Sequence, residues 1–107
     1  MADVKRVRTI KIKTGVVKRL SKEKNMYIKE AEKQEEKIQK MTEEGRDEYD
    51  IRKQKEVLAE SHSMIPDIER QLEMAHNELS KLLETETDLA DTEEYKVATE
   101  LLKTIAV

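Results

Sequence analysis

The chain has 107 residues, 42% of them charged and 36% hydrophobic, with a net charge of −3, so it can bury one modest core and no more. With no cysteine it has neither a disulfide framework nor a thiolate metal site. No apolar run approaches the roughly 18 residues of a membrane span, and MADVKRVRTIKIK lacks the apolar stretch of a secretory signal, so the expected compartment is the cytoplasm. Such a charge load also suits disordered chains. The apolar residues are periodic, however, and only two Gly and one Pro interrupt them. Ala2 after Met1 suits removal of Met1 and acetylation of Ala2.

The first predicted helix runs from about Val4 to Thr42. Val17, Leu20, Lys24, Tyr27, Ala31, Gln34, Ile38 and Met41 follow one another at alternating steps of 3 and 4, the spacing of one helix face. Val7, Ile10 and Thr14 lead into this seam with a one-residue slip, where Val16 and Val17 are adjacent. Gly15 sits at the slip and costs about 1 kcal/mol inside a helix, so fraying or a bend is expected there. Gly45 in TEEGRDEYD is the stop signal. Asp47 is placed to cap the next helix, with Asp50 in its first turn. The short connection makes the second helix antiparallel to the first.

The second helix is predicted over about Asp47 to Thr85. Its seam is Ile51, Gln54, Leu58, Ser61, Ile65, Ile68, Leu72, Ala75, Leu79 and Leu82. Pro66 lies inside this run, removes one backbone hydrogen bond and crowds the carbonyl of His62. The seven-residue repeat of Ile51, Leu58, Ile65, Leu72 and Leu79 passes through the proline unbroken, which favours one helix kinked at Pro66 over two helices with a loop. Asp91 with Glu94 resembles a capping box for a short third helix carrying Tyr95, Ala98, Leu102 and Ile105, with Leu89 anchoring the connection. This helix should fold back and cover part of the hairpin groove. The expected fold is all-α: an elongated antiparallel three-helix bundle with left-handed, coiled-coil-like packing, its second helix kinked at Pro66. One domain, residues 1–107, holds it all.

Nothing in the pattern points to catalysis, so the expected function is protein binding without enzyme activity. His62 and His76 stand two heptads apart, about 21 Å by helical rise, too far to share a metal ion. The carboxylates alternate with lysines and arginines, as on exposed helix faces. Met26 and Met74 fall off the seams and are available to a partner. Between Lys5 and Lys24 there are nine Lys or Arg and one acid, Glu23, whereas residues 84–94 hold six acids and no base. The basic stretch has no aromatic interleaving for stacked bases, which argues against nucleic acid. Lys24 falls on the seam and is expected to snorkel. Lys11, Lys18, Arg19 and Lys22 lie off the apolar positions and are the candidate partner-binding residues.

The segments IKIKTGVVKRL (Ile10 to Leu20), YDI (Tyr49 to Ile51), KQKEVLAESHSMIPD (Lys53 to Asp67) and EEYKVA (Glu93 to Ala98) occur in an order that resembles the tubulin-binding cofactor A family. Ile68 departs from the family pattern, which has Cys there, but stays apolar and on the seam. The resemblance implies a small cytoplasmic, cytoskeleton-associated chaperone that uses no nucleotide and no metal cofactor. Such a chaperone captures folded or nearly folded β-tubulin. It exchanges that subunit within a pathway of cofactors B to E, notably cofactor D, leading to the αβ heterodimer. It would act as a monomer or homodimer, with no nucleic acid or membrane partner. Pro66 belongs to the longest matching segment and joins the candidate binding residues. Two other readings remain: a coiled-coil adaptor or scaffold, and a prefoldin-like subunit. The second is disfavoured because TEEGRDEYD shows no strand pattern.

Overall fold

The computed structural model describes residues 2–105, Ala2 by its backbone alone. Met1, and with it the expected processing of the N-terminus, lies outside the described residues. The described chain is three α-helices, α1 (Ala2–Glu43), α2 (Glu48–Thr85) and α3 (Glu93–Thr104), with one 3-10 turn at Thr87–Leu89 before α3. There is no strand among the described residues. α2 continues through Pro66, as the unbroken repeat predicts. α1 likewise continues through Gly15, where fraying or a bend was expected. Gly15 is exposed, and burial of Ile10, Thr14 and Val17 around it holds the turn against the propensity cost.

The turn between α1 and α2 is built from local hydrogen bonds. Gly45 has φ +69°, a conformation that costs other residues a clash with Cβ. Its N–H donates to Thr42 O at 3.2 Å, and the Arg46 N–H reaches back to Met41 O at 3.0 Å. These two bonds satisfy carbonyls that the end of α1 would otherwise leave without partners. Asp47 then caps α2: its Oδ1 accepts from the Tyr49 N–H at 3.1 Å, and its carbonyl accepts from Ile51.

Two compact units divide the chain. One is Glu23–Ile68, a hairpin of the second part of α1 and the first part of α2. It is antiparallel, the chain turning back between Glu43 and Glu48, and Gln34 Nε2 bridges the two helices by donating to the Gln54 side chain and, at 3.3 Å, to its carbonyl. Ala31, Met41 and Ile68 are its buried apolar residues, whereas Tyr27, Ile38, Ile51, Leu58 and Ile65 are only half-buried. A two-helix seam has one wall on each side, so its apolar residues keep an edge in water. Lys24 is half-buried on this seam, as snorkelling requires.

The other unit joins the start of α1 to the end of α2 and α3. Three helices close around Ile10, Val17, Leu20, Leu72, Ala75, Leu79, Leu83, Leu89 and Ala98, and this is where burial is deepest. Leu89 anchors the connection as expected. The Tyr95 hydroxyl donates to Leu83 O at 2.9 Å, a carbonyl in the last turn of α2 that has no helical partner. His76 on α2 is half-buried, with Nε2 3.4 Å from Leu102 O near the end of α3.

The cap of α3 differs from the expected Asp91 and Glu94 pair. Thr92 is the capping residue, its Oγ1 accepting from the Tyr95 N–H at 3.3 Å and donating to Leu89 O at 2.7 Å. The 3-10 turn uses up the preceding residues, and the Thr92 N–H closes on Leu89 O, so the helix begins one residue later than the Asp91 pattern implies.

Candidate partner-binding surface

At about 100° per residue, Lys11, Lys18 and Lys22 fall within a sector of about 40° on α1, with Arg19 to one side. All four are exposed. Lys18 borders an open groove between α1 and α3 of about 410 Å³, whose other wall carries Glu93 and Glu100 together with Lys96, Val97 and Leu101. Lys11 borders a smaller hollow of about 250 Å³ with Thr14, Glu93, Glu94 and Val97. Two of the four candidate cations therefore face acids of their own chain, and Arg19 is not without a partner. Pro66 is exposed too, but it belongs to the hairpin unit, whereas the four cations belong to the three-helix unit.

Arg6 ties the basic stretch to the acidic run, and Lys13 ties it to the preceding turns of α2, contacts that spacing does not reveal. Arg6 binds the Glu86 carboxylate and, through its second terminal nitrogen, Asp88 Oδ1 at 2.5 Å. It also holds Asp3 at 3.0 Å. Lys13 Nζ meets Glu78 Oε2 at 3.2 Å. The hydrogen bond from Arg6 holds the Asp88 carboxyl below the usual aspartate range, and the two acceptors raise the Arg6 guanidinium. Because the Asp88 value is lowered in the folded state, its stabilising contribution is complete above the unfolded-state titration and disappears as pH falls through the folded one. A carboxyl-detected NMR titration should find Asp88 titrating below free aspartate, and Arg6→Leu should return it to the ordinary range. An unshifted Asp88 in the wild-type protein would remove this contact from the account.

Other candidates are placed as follows. His62 is exposed, its Nε2 3.2 Å from Glu35 Oε1 across the hairpin. Met26 and Met74 are both exposed, as their off-seam positions imply. Among the described residues, no group of three or more His, Cys, Asp or Glu could hold a metal ion, and no helix is long and apolar enough to cross a membrane.

The match that decides the family spans almost the whole chain: the sequence model of tubulin binding cofactor A aligns with residues 5–102. The chain belongs to the tubulin binding cofactor A family. A chicken relative named tubulin-specific chaperone A is 59% identical over 105 residues, covering 98% of this chain and 96% of its own. The solved structure of human tubulin chaperone cofactor A superposes with a TM-score of 0.81 at 57% identity, over 92% of this chain and 96% of that one. That of tubulin folding cofactor A from Arabidopsis thaliana gives 0.85 at 35% identity, covering 94% of each chain. The family fold thus accommodates this sequence with all three helices included.

Proposed function

We propose that this protein is a tubulin-folding chaperone that captures β-tubulin, keeps it soluble in a near-native state and passes it on within the cofactor A to E pathway, cofactor D included. It does so in the cytoplasm, in association with the cytoskeletal protein pool, and by binding rather than by catalysis. The observation that carries this reading is the near full-length match to proteins named tubulin-specific chaperone A. The physical part of the proposal is recruitment through Lys11, Lys18, Arg19 and Lys22, with residues 1–107 acting as one domain. Exposed ion pairs are individually weak, on the order of 0–1 kcal/mol. A cluster of like charge therefore acts mainly on the association rate.

Charge reversal at Lys18 and Lys22 is the test, since both side chains are exposed and neither belongs to the buried core. Association with β-tubulin, followed by stopped-flow fluorescence, should slow by roughly threefold to tenfold in the Lys18→Glu, Lys22→Glu protein. The wild-type rate should fall as salt rises, and the melting temperature should hold. A salt-independent rate, equal in the two proteins, would reduce the basic end to a solvated face and move the contact to α2 and α3.

A further inference from the structure

A second cationic feature lies at the closed end of the hairpin unit, apart from the four candidate residues. Here the end of α1 and the start of α2 enclose an open cleft of about 550 Å³ with the nearly buried Met41 at its base. Lys37, Lys40, Arg46 and Lys53 line it, against only Glu44 and Asp50.

Helix electrostatics account for part of this. Lys40 sits in the last turn of α1, where the helix dipole favours a cation, and Asp50 in the first turn of α2, where it favours an anion. The dipoles do not account for Lys37 or Lys53. Internal pairing does not either. Glu44 is 3.5 Å from Arg46. Lys53 Nζ stands 5.3 Å from the centre of the exposed Tyr49 ring, a cation–π contact that leaves the ammonium open to an anion. Lys37 and Lys40 make no ion pair. Arg6, by contrast, is held by three carboxylates and Lys13 by Glu78.

We infer that this cleft binds an acidic peptide segment, with successive carboxylates meeting Lys37 and Lys40 on one wall and Lys53 on the other. Lys37 and Lys40 are three residues apart on α1, so their side chains emerge on the same face one turn apart. Lys53 comes from the facing helix. A single small anion reaches only one wall at a time and competes poorly with water and salt. A chain of carboxylates spans both walls and turns several weak contacts into one binding event. Met41 offers the aliphatic part of the segment an apolar floor.

The experiment is an NMR titration of the full-length, nitrogen-15-labelled protein with an acetylated hexaglutamate peptide. Hexaglutamine, free glutamate and inorganic phosphate run as separate arms. Amide shifts should concentrate between Lys37 and Lys53, weaken as salt rises and be absent with hexaglutamine. Free glutamate and phosphate should bind at least tenfold more weakly than the peptide. Lys37→Glu with Lys53→Glu should weaken peptide binding at least tenfold, and the milder Lys37→Gln with Lys53→Gln should weaken it by an intermediate factor while preserving the melting temperature. Shifts confined to Lys11 through Lys22, phosphate binding as tight as the peptide's, or unchanged affinity in the glutamine variant would each overturn the inference.

Discussion

Leu72→Ala is expected to destabilise the protein by about 2–5 kcal/mol, the range for truncating a buried leucine. Leu72 is 1% exposed and sits among Ile10, Val17, Leu79 and Leu83, where three helices close around the core. Neighbours on all sides limit collapse into the cavity, which keeps the cost up. Ile65 occupies the same seven-residue repeat but is only half-buried in the two-helix hairpin. Its truncation removes less contact and leaves a site that water can fill, so Ile65→Ala should cost less than about 2 kcal/mol. Urea unfolding of both variants, read at constant slope, separates the two values. A loss below about 0.5 kcal/mol at Leu72 would mean that the seam is wrongly placed.

Pro66→Ala should act in the opposite direction, stabilising the protein by up to about 3 kcal/mol. Pro66 is exposed inside a helix that continues on both sides of it. Alanine would restore an N–H able to donate to the His62 carbonyl and would remove the ring that crowds it. Two effects reduce the gain. His62 is an exposed residue, so a carbonyl open to water would gain less from the new bond, and proline stiffens the unfolded chain by about 0.4–1 kcal/mol, which alanine gives up. A costly residue kept at an exposed site motivates the second half of the prediction, that the bend expected at Pro66 shapes the surface for β-tubulin. The variant should then be more stable and capture less. A more stable protein with undiminished capture would leave Pro66 without a binding role.

Most of the fold was legible because it is written in short-range spacing. The run from Ile51 to Leu79 specifies one helix through a proline, and Gly45 and Asp47, two residues apart, mark the end of one helix and the start of the next. The capping residue of α3 was misplaced because Asp91 and Thr92 both carry capping side chains. The choice between them is made by the 3-10 turn over Thr87–Leu89, which has no sequence periodicity. Leu83 was missed as core because it lies one position beyond the Leu82 seam, and a third helix buries it from the flank. The candidate surface was legible only as charge. Arg6 finds Glu86 and Asp88 from 80 and 82 residues away, a pairing set by tertiary packing alone. The placing of Glu93, Glu94 and Glu100 on α3 opposite Lys11 and Lys18 has the same origin.

Sedimentation velocity of the purified protein, alone and with isolated β-tubulin, tests the chaperone account most directly. No nucleotide or metal is added. The account predicts a monomer or dimer that shifts, in the presence of β-tubulin, to a discrete soluble complex containing both chains. A β-tubulin that aggregates or sediments as if alone, beside a chain assembled into a higher oligomer indifferent to it, would contradict the account and support a self-assembling scaffold.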